Sequence, residues 1–208
     1  METKYKIMLG AGAALIGTTA VVAYLKRGAI ANAATNAAQA VTQEAKELIE
    51  ETTGMKQSYF SIAELCASDT AKKYGIDNTP TPEVKQRLQL LIDNVLNPAR
   101  RRLGKAIHVT SGYRCPALNK KVGGVSNSQH MTGMAADLVA GSGSAQDMNR
   151  LFEILVSLGN YDQLIWEHPK NSKWIHVSFN PSGGRLQVMD YNGKQYTDIR
   201  NNWQMYLA

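Results

Sequence analysis

Two cysteines in 208 residues are too few to build a disulfide scaffold, so the chain must depend on an apolar core. Charged residues make up 19% and apolar residues 44%, which excludes a disordered polymer. A mean hydropathy of −0.29 excludes a polytopic membrane protein. Aromatics are sparse at 7%, and neither an interleaved aromatic and basic stripe nor a DNA-binding motif is present, so nucleic acid is not the expected partner despite Arg100-Arg101-Arg102. No internal repeat occurs. What the chain does have is a basic surplus of +6, which suits an anionic partner such as a cell wall or a membrane surface. Residues 58–208 hold most of it, with 17 Lys and Arg against 12 Asp and Glu.

The longest uncharged run is Ile7 to Leu25, flanked by Lys4 and Lys6 and by Lys26 and Arg27. As a helix it would span about 28 Å, close to the hydrocarbon thickness of a bilayer. Three readings compete: a retained anchor, a cleaved signal peptide and a packed Ala/Gly-rich helix. The anchor fits best, because Lys26 and Arg27 stand before the A-x-A-like Ala29-Ile30-Ala31. The flanking charges tie, leaving orientation open. Residues 28–57 are Ala-rich with Glu44, Glu47, Glu50 and Glu51, and read as a helical linker ending near Gly54. The expected organisation is therefore an anchor over 1–27, a linker over 28–57 and a folded domain over 58–208.

Within the domain, Ser61-Ile62-Ala63-Glu64 predicts a helix start, with the helix running to about Tyr74. Thr81-Pro82-Glu83 predicts a second, carrying Val84, Leu88, Leu91, Ile92 and Val95 and ending before Pro98. Ser144 to Gly159 bounds a third, with Leu151, Ile154, Leu155 and Leu158 as its buried stripe. Strands are expected over 106–111, 135–139, 163–167, 174–179 and 185–190, with Asn192-Gly193 turning a hairpin back over 195–199. Helices first and hairpins later predict an α+β domain, an antiparallel sheet with helices packed on it.

Chemistry concentrates in two segments. His130 and Asp137 stand seven apart around Gly133, and His176 interrupts the apolar strand Trp174-Ile175-His176-Val177. Two imidazoles and a carboxylate are ordinary zinc ligands, and three protein ligands leave a fourth position open for chemistry. Each residue alone has a plainer reading, a hydrogen-bonded histidine or a capping aspartate.

Together, Ser128-x-His130-x-x-Gly133-x-Ala135-x-Asp137, the upstream Ser111-Gly112-Tyr113-Arg114 and the closing Trp174-x-His176-Val177 resemble the zinc D-Ala-D-Ala peptidase family. This family contains D,D-carboxypeptidases, dipeptidases and phage endolysin endopeptidases and shares its fold with the hedgehog domain. The resemblance covers roughly residues 58–180. It implies zinc held by His130, Asp137 and His176, with Arg114 holding a substrate carboxylate or oxyanion. Ser128 is placed near metal or substrate, or capping its turn. Many members have an acidic residue three before the last histidine, where this chain has Lys173.

Glu167 is the candidate base instead. If residues 168–173 form a hairpin loop with Glu167 opposite Trp174, then Ile165 faces His176, and Glu167 lies diagonally beside that histidine. Asp162 is the alternative, and His168 is expected to be solvent-exposed. Cys66 and Cys115 could pair if their Cα atoms approach within about 7 Å, or remain free thiols. The expected activity is zinc-dependent hydrolysis of peptidoglycan peptides by a membrane-anchored or virion-associated enzyme facing the periplasm or cell wall. A non-catalytic zinc-containing wall-binding or virion protein is the alternative.

Overall fold

Local capping signals act where the sequence places them in the computed structural model, which describes residues 58–170 and 172–207. Helix α1 (Ile62–Cys66) starts at Ser61, whose hydroxyl accepts from the Glu64 amide. The expected single helix to Tyr74 is two, because Ala67 is extended and Ser68 caps a fresh start, α2 (Asp69–Tyr74), by accepting from the Ala71 amide. Helix α3 (Pro82–Leu91) begins with Thr81 as cap and Pro82 in the first turn.

Pro98 does not end that helix, contrary to expectation. A π-helical turn over Ile92–Leu96 leads directly into α4 (Asn97–Leu103), which stops at left-handed Gly104. Proline removes an N–H and crowds the carbonyl four residues back. Here that carbonyl belongs to Asn94, and it accepts from Asn160 Nδ2 at 3.0 Å. The wider turn absorbs the ring, and a side chain from elsewhere in the fold replaces the missing donor.

The remaining elements are β1 (Ile107–Ser111), α5 (Pro116–Lys121), a 3₁₀ turn over Gln129–Thr132, β2 (Ala135–Ala140), α6 (Ala145–Leu158), β3 (Gln163–Glu167), β4 (Trp174–Ser178), β5 (Gln187–Tyr191), β6 (Tyr196–Asp198) and a closing 3₁₀ turn over Trp203–Tyr206. The domain is α+β, and its six strands run β1-β2-β4-β3-β5-β6. The sheet is mixed rather than antiparallel, since β3 and β5 are parallel. No tight turn joins β4 to β5. The intervening chain runs back along the sheet, where Asp162 accepts from the Arg185 amide and the Gln187 amide bonds the Asp162 carbonyl. Those bonds start β5 beside the beginning of β3 and so set its direction. Arg185, expected in the strand, is spent on this anchor.

One face of the sheet carries Ala136, Leu138, Leu164, Trp166, Ile175, Val177 and Val188, all buried in the main core. Helix α6 packs on β2, β3 and β4, and Phe152 meets Trp166 edge to face at 5.5 Å. Leu151, Ile154 and Leu155 of its stripe are buried, while Leu158 is only partly so. Asp190 shares this core face of the sheet, paired with Trp166, while the opposite face carries Ser111, Asp137, His176 and Glu167. Residues from Ser58 onward form a compact unit. Among the described residues no helix is long and apolar enough to cross a membrane. The expected anchor over 7–25 and linker over 28–57 lie outside the described residues. Cys66 and Cys115 are free thiols.

Candidate metal centre

Strand register assembles the site. Ser111, Asp137, His176, Ile165 and Met189 are successive cross-strand partners in one row over β1, β2, β4, β3 and β5. Paired residues project to the same face. His130 arrives from the 3₁₀ turn before β2, which ends at left-handed Gly133. Its Nδ1 lies 2.7 Å from the Gly112 carbonyl oxygen, so Nδ1–H donates there and Nε2 is turned toward the other two residues.

His130, Asp137 and His176 are buried, and one ligand atom from each lies within 4.8 Å of the others. His130 Nε2 is 3.2 Å from His176 Nδ1, and Asp137 Oδ1 is 3.0 Å from His176 Nδ1 and 3.2 Å from His130 Nε2. Burial alone would raise the Asp137 carboxyl, but the charge and hydrogen bonds of His130, followed by those of His176, hold it well below the usual carboxylate range. The group therefore presents an ionised carboxylate and two imidazoles. This donor set, with the His130 tautomer already fixed, fits zinc.

Arg114 closes one side. Its Nη2 donates to Asp137 Oδ2 at 2.9 Å and its Nε to Ser111 Oγ at 2.9 Å, which fixes the plane of the guanidinium. Gly112 is needed just upstream, because a Cβ there would collide with the Leu65 carbonyl, while Tyr113 N donates to that same oxygen at 2.7 Å. The Ser111-Gly112-Tyr113-Arg114 segment thus packs against α1 and delivers both the arginine and the carbonyl that orients His130.

Glu167 stands opposite Trp174, and Ile165 opposite His176, in the register expected from the sequence. The Glu167 carboxyl is raised, first by burial and then by the Asp137 charge, with His176, a Trp174 hydrogen bond and Arg114 opposing the shift. Ser128 sits half-buried at the entry of the His130 turn, and its hydroxyl makes no cap hydrogen bond. His168 is half-buried rather than simply exposed, with Nε2 2.8 Å from Asp190 Oδ1.

Asp162 is not poised as a base. It is buried and accepts from Arg185 Nη2 at 2.6 Å and from Gln129 Nε2 at 2.9 Å, tying the His130 turn to the start of β5. Nothing in the local sequence around Asp162 or Gln129 signals this brace, which joins residues 33 apart. The Arg185 hydrogen bonds lower its carboxyl to about 2. A depressed carboxylate stabilises the fold above its unfolded pKa and loses that contribution as pH falls through the folded value. Asp162→Asn is accordingly expected to cost about 1–2 kcal/mol at neutral pH, after allowance for the solvent-exposed Arg185. The difference from wild type should shrink from the ordinary 3.8 toward about 2, read by urea unfolding across that range.

A model of the Peptidase M15 family matches residues 58–178, from the start of the domain to the end of β4. No curated protein matches the chain. The matched segment contains all three ligand-type residues, Arg114 and Glu167, and covers more than half of the sequence: the chain belongs to the Peptidase M15 family, and is by that membership a metallopeptidase.

Proposed function

We propose that this metallopeptidase hydrolyses peptide bonds in bacterial peptidoglycan, with zinc held by His130, Asp137 and His176. The observation that carries the reading is the convergence of those three side chains, from a turn and two strands, into one buried group beside a glutamate with a raised carboxyl. When bound, zinc supplies Lewis-acid polarisation of the scissile carbonyl and of the attacking water.

Glu167 takes a proton from that water and returns it to the departing amine. Its raised pKa narrows the gap between its two protonation states near neutrality, which suits both transfers. Arg114, held in plane by Ser111 and Asp137, uses its remaining donors to bind a substrate carboxylate or the developing oxyanion. Ser128, at the entry of the His130 turn, contacts the substrate. His130 keeps its orientation through the Gly112 carbonyl and through the Gln129 to Asp162 brace on its turn.

The basic surplus of the domain suits an anionic wall. The apolar run over 7–25 tethers the domain near its substrate, on the periplasmic or wall side of a membrane or within a phage particle. Mass spectrometry of muropeptides after digestion by the zinc-loaded full-length chain tests the proposal. Release of shortened stems or separated crosslinks is expected, together with about one zinc per chain; intact muropeptides with a zinc-loaded protein would favour a non-catalytic wall-binding role.

A further inference from the structure

A second row of partners runs beside the metal centre. Trp174, Glu167, Tyr191 and Tyr196 pair in succession across β4, β3, β5 and β6, so both tyrosines share the face that carries the site. Their rings stack with centroids 4.3 Å apart and planes 22° apart. Tyr191 is half-buried and covers one side of the stack, while Tyr196 remains 53% exposed. The pair is rigidly placed, since the His168 amide donates to the Tyr191 carbonyl at 2.9 Å and Asn192 Oδ1 accepts from the Lys194 and Gln195 amides to hold the turn. Strands β5 and β6 fall outside the segment that the family model matches.

An exposed ring backed by a second one is a flat, electron-rich surface, suited to the weakly positive C–H face of a sugar. Three strand spacings separate β4, which carries His176, from β6, about 14 Å in all. Four extended peptide residues span about the same distance. Arg114 lies on the β1 and β2 side of the metal centre. A five-residue stem whose last residue reaches Arg114 would therefore run its other four residues across β4, β3 and β5 toward Tyr196. The N-terminal end of a stem peptide is the end joined to the glycan.

We infer that Tyr196, backed by Tyr191, forms a subsite that stacks on the amino sugar at the glycan end of a muropeptide, an inference that rests on the peptidoglycan reading above. The subsite makes the enzyme prefer a glycan-bearing stem over a free peptide of the same sequence.

Calorimetric titration of the full-length chain with N-acetylglucosaminyl-N-acetylmuramyl pentapeptide whose last peptide bond is replaced by a non-hydrolysable isostere, and with the same pentapeptide analogue lacking sugars, tests this. The sugar-bearing ligand is expected to bind about fivefold more tightly to wild type, a factor within the range of one aromatic contact. Tyr196→Ala should erase that preference, and Tyr196→Phe, which keeps the ring, should preserve it. Equal affinities in wild type, binding of neither ligand, or a preference that survives in Tyr196→Ala would overturn the inference. Because the readout is binding, a sugar preference without muropeptide cleavage would sink the peptidase reading and leave the subsite standing.

Discussion

His176→Ala is expected to abolish metal uptake and peptide hydrolysis together while leaving the domain folded. His176 is the central member of the cross-strand row, with Asp137 on one side and Ile165 on the other. Its backbone pairing does not depend on the imidazole, so β4 keeps its place between β2 and β3. The loss is chemical. Two remaining ligands, one of them the Asp137 carboxylate already engaged by Arg114, cannot complete the three-ligand set that a catalytic zinc needs. Elemental analysis of purified protein should show zinc near one per chain in wild type and near zero in the variant, with unchanged far-ultraviolet circular dichroism. Wild-type zinc content in the variant would remove His176 from the metal centre.

Glu167→Gln separates proton transfer from metal binding. Glutamine has nearly the same shape and keeps the hydrogen bond to Trp174 within reach, but it cannot carry a proton. The expected result is a fall in kcat of about 10²–10⁴-fold, the usual scale of general acid–base catalysis, with zinc content unchanged. In wild type, the working base is the ionised form, so the rate should decline as pH drops through the Glu167 value, which burial raises. A variant with wild-type kcat would shift the proton-transfer role to another group. Asp162 is poorly suited, being consumed by Arg185 and Gln129.

Much of this site is legible in the chain. The hairpin register that puts Glu167 opposite Trp174 follows from a six-residue loop between two short apolar strands, and the structure has that register. The caps at Ser61, Thr81 and Ser144 are equally local, each a side-chain oxygen reaching an amide three residues on. Other features resist such reading. The break at Ala67 is hidden because Ser68 caps a second helix inside a segment of continuous helix propensity. Pro98 reads as a helix stop, since the donor that rescues Asn94 comes from Asn160, 66 residues away.

By itself, then, the sequence determined the α+β class, the helix starts after Ser61, Thr81 and Ser144, the β3–β4 pairing and the residue types of a candidate metal site, because these depend on contacts within a few residues or on side-chain chemistry. Tertiary structure alone decided that β5 runs parallel to β3, that Asp162 braces the His130 turn, and that the two tyrosines line up with Glu167. The physical reason is the same in each case. A strand's local pattern sets which face its side chains take, but its neighbour and direction are set by hydrogen bonds and packing with segments far along the chain.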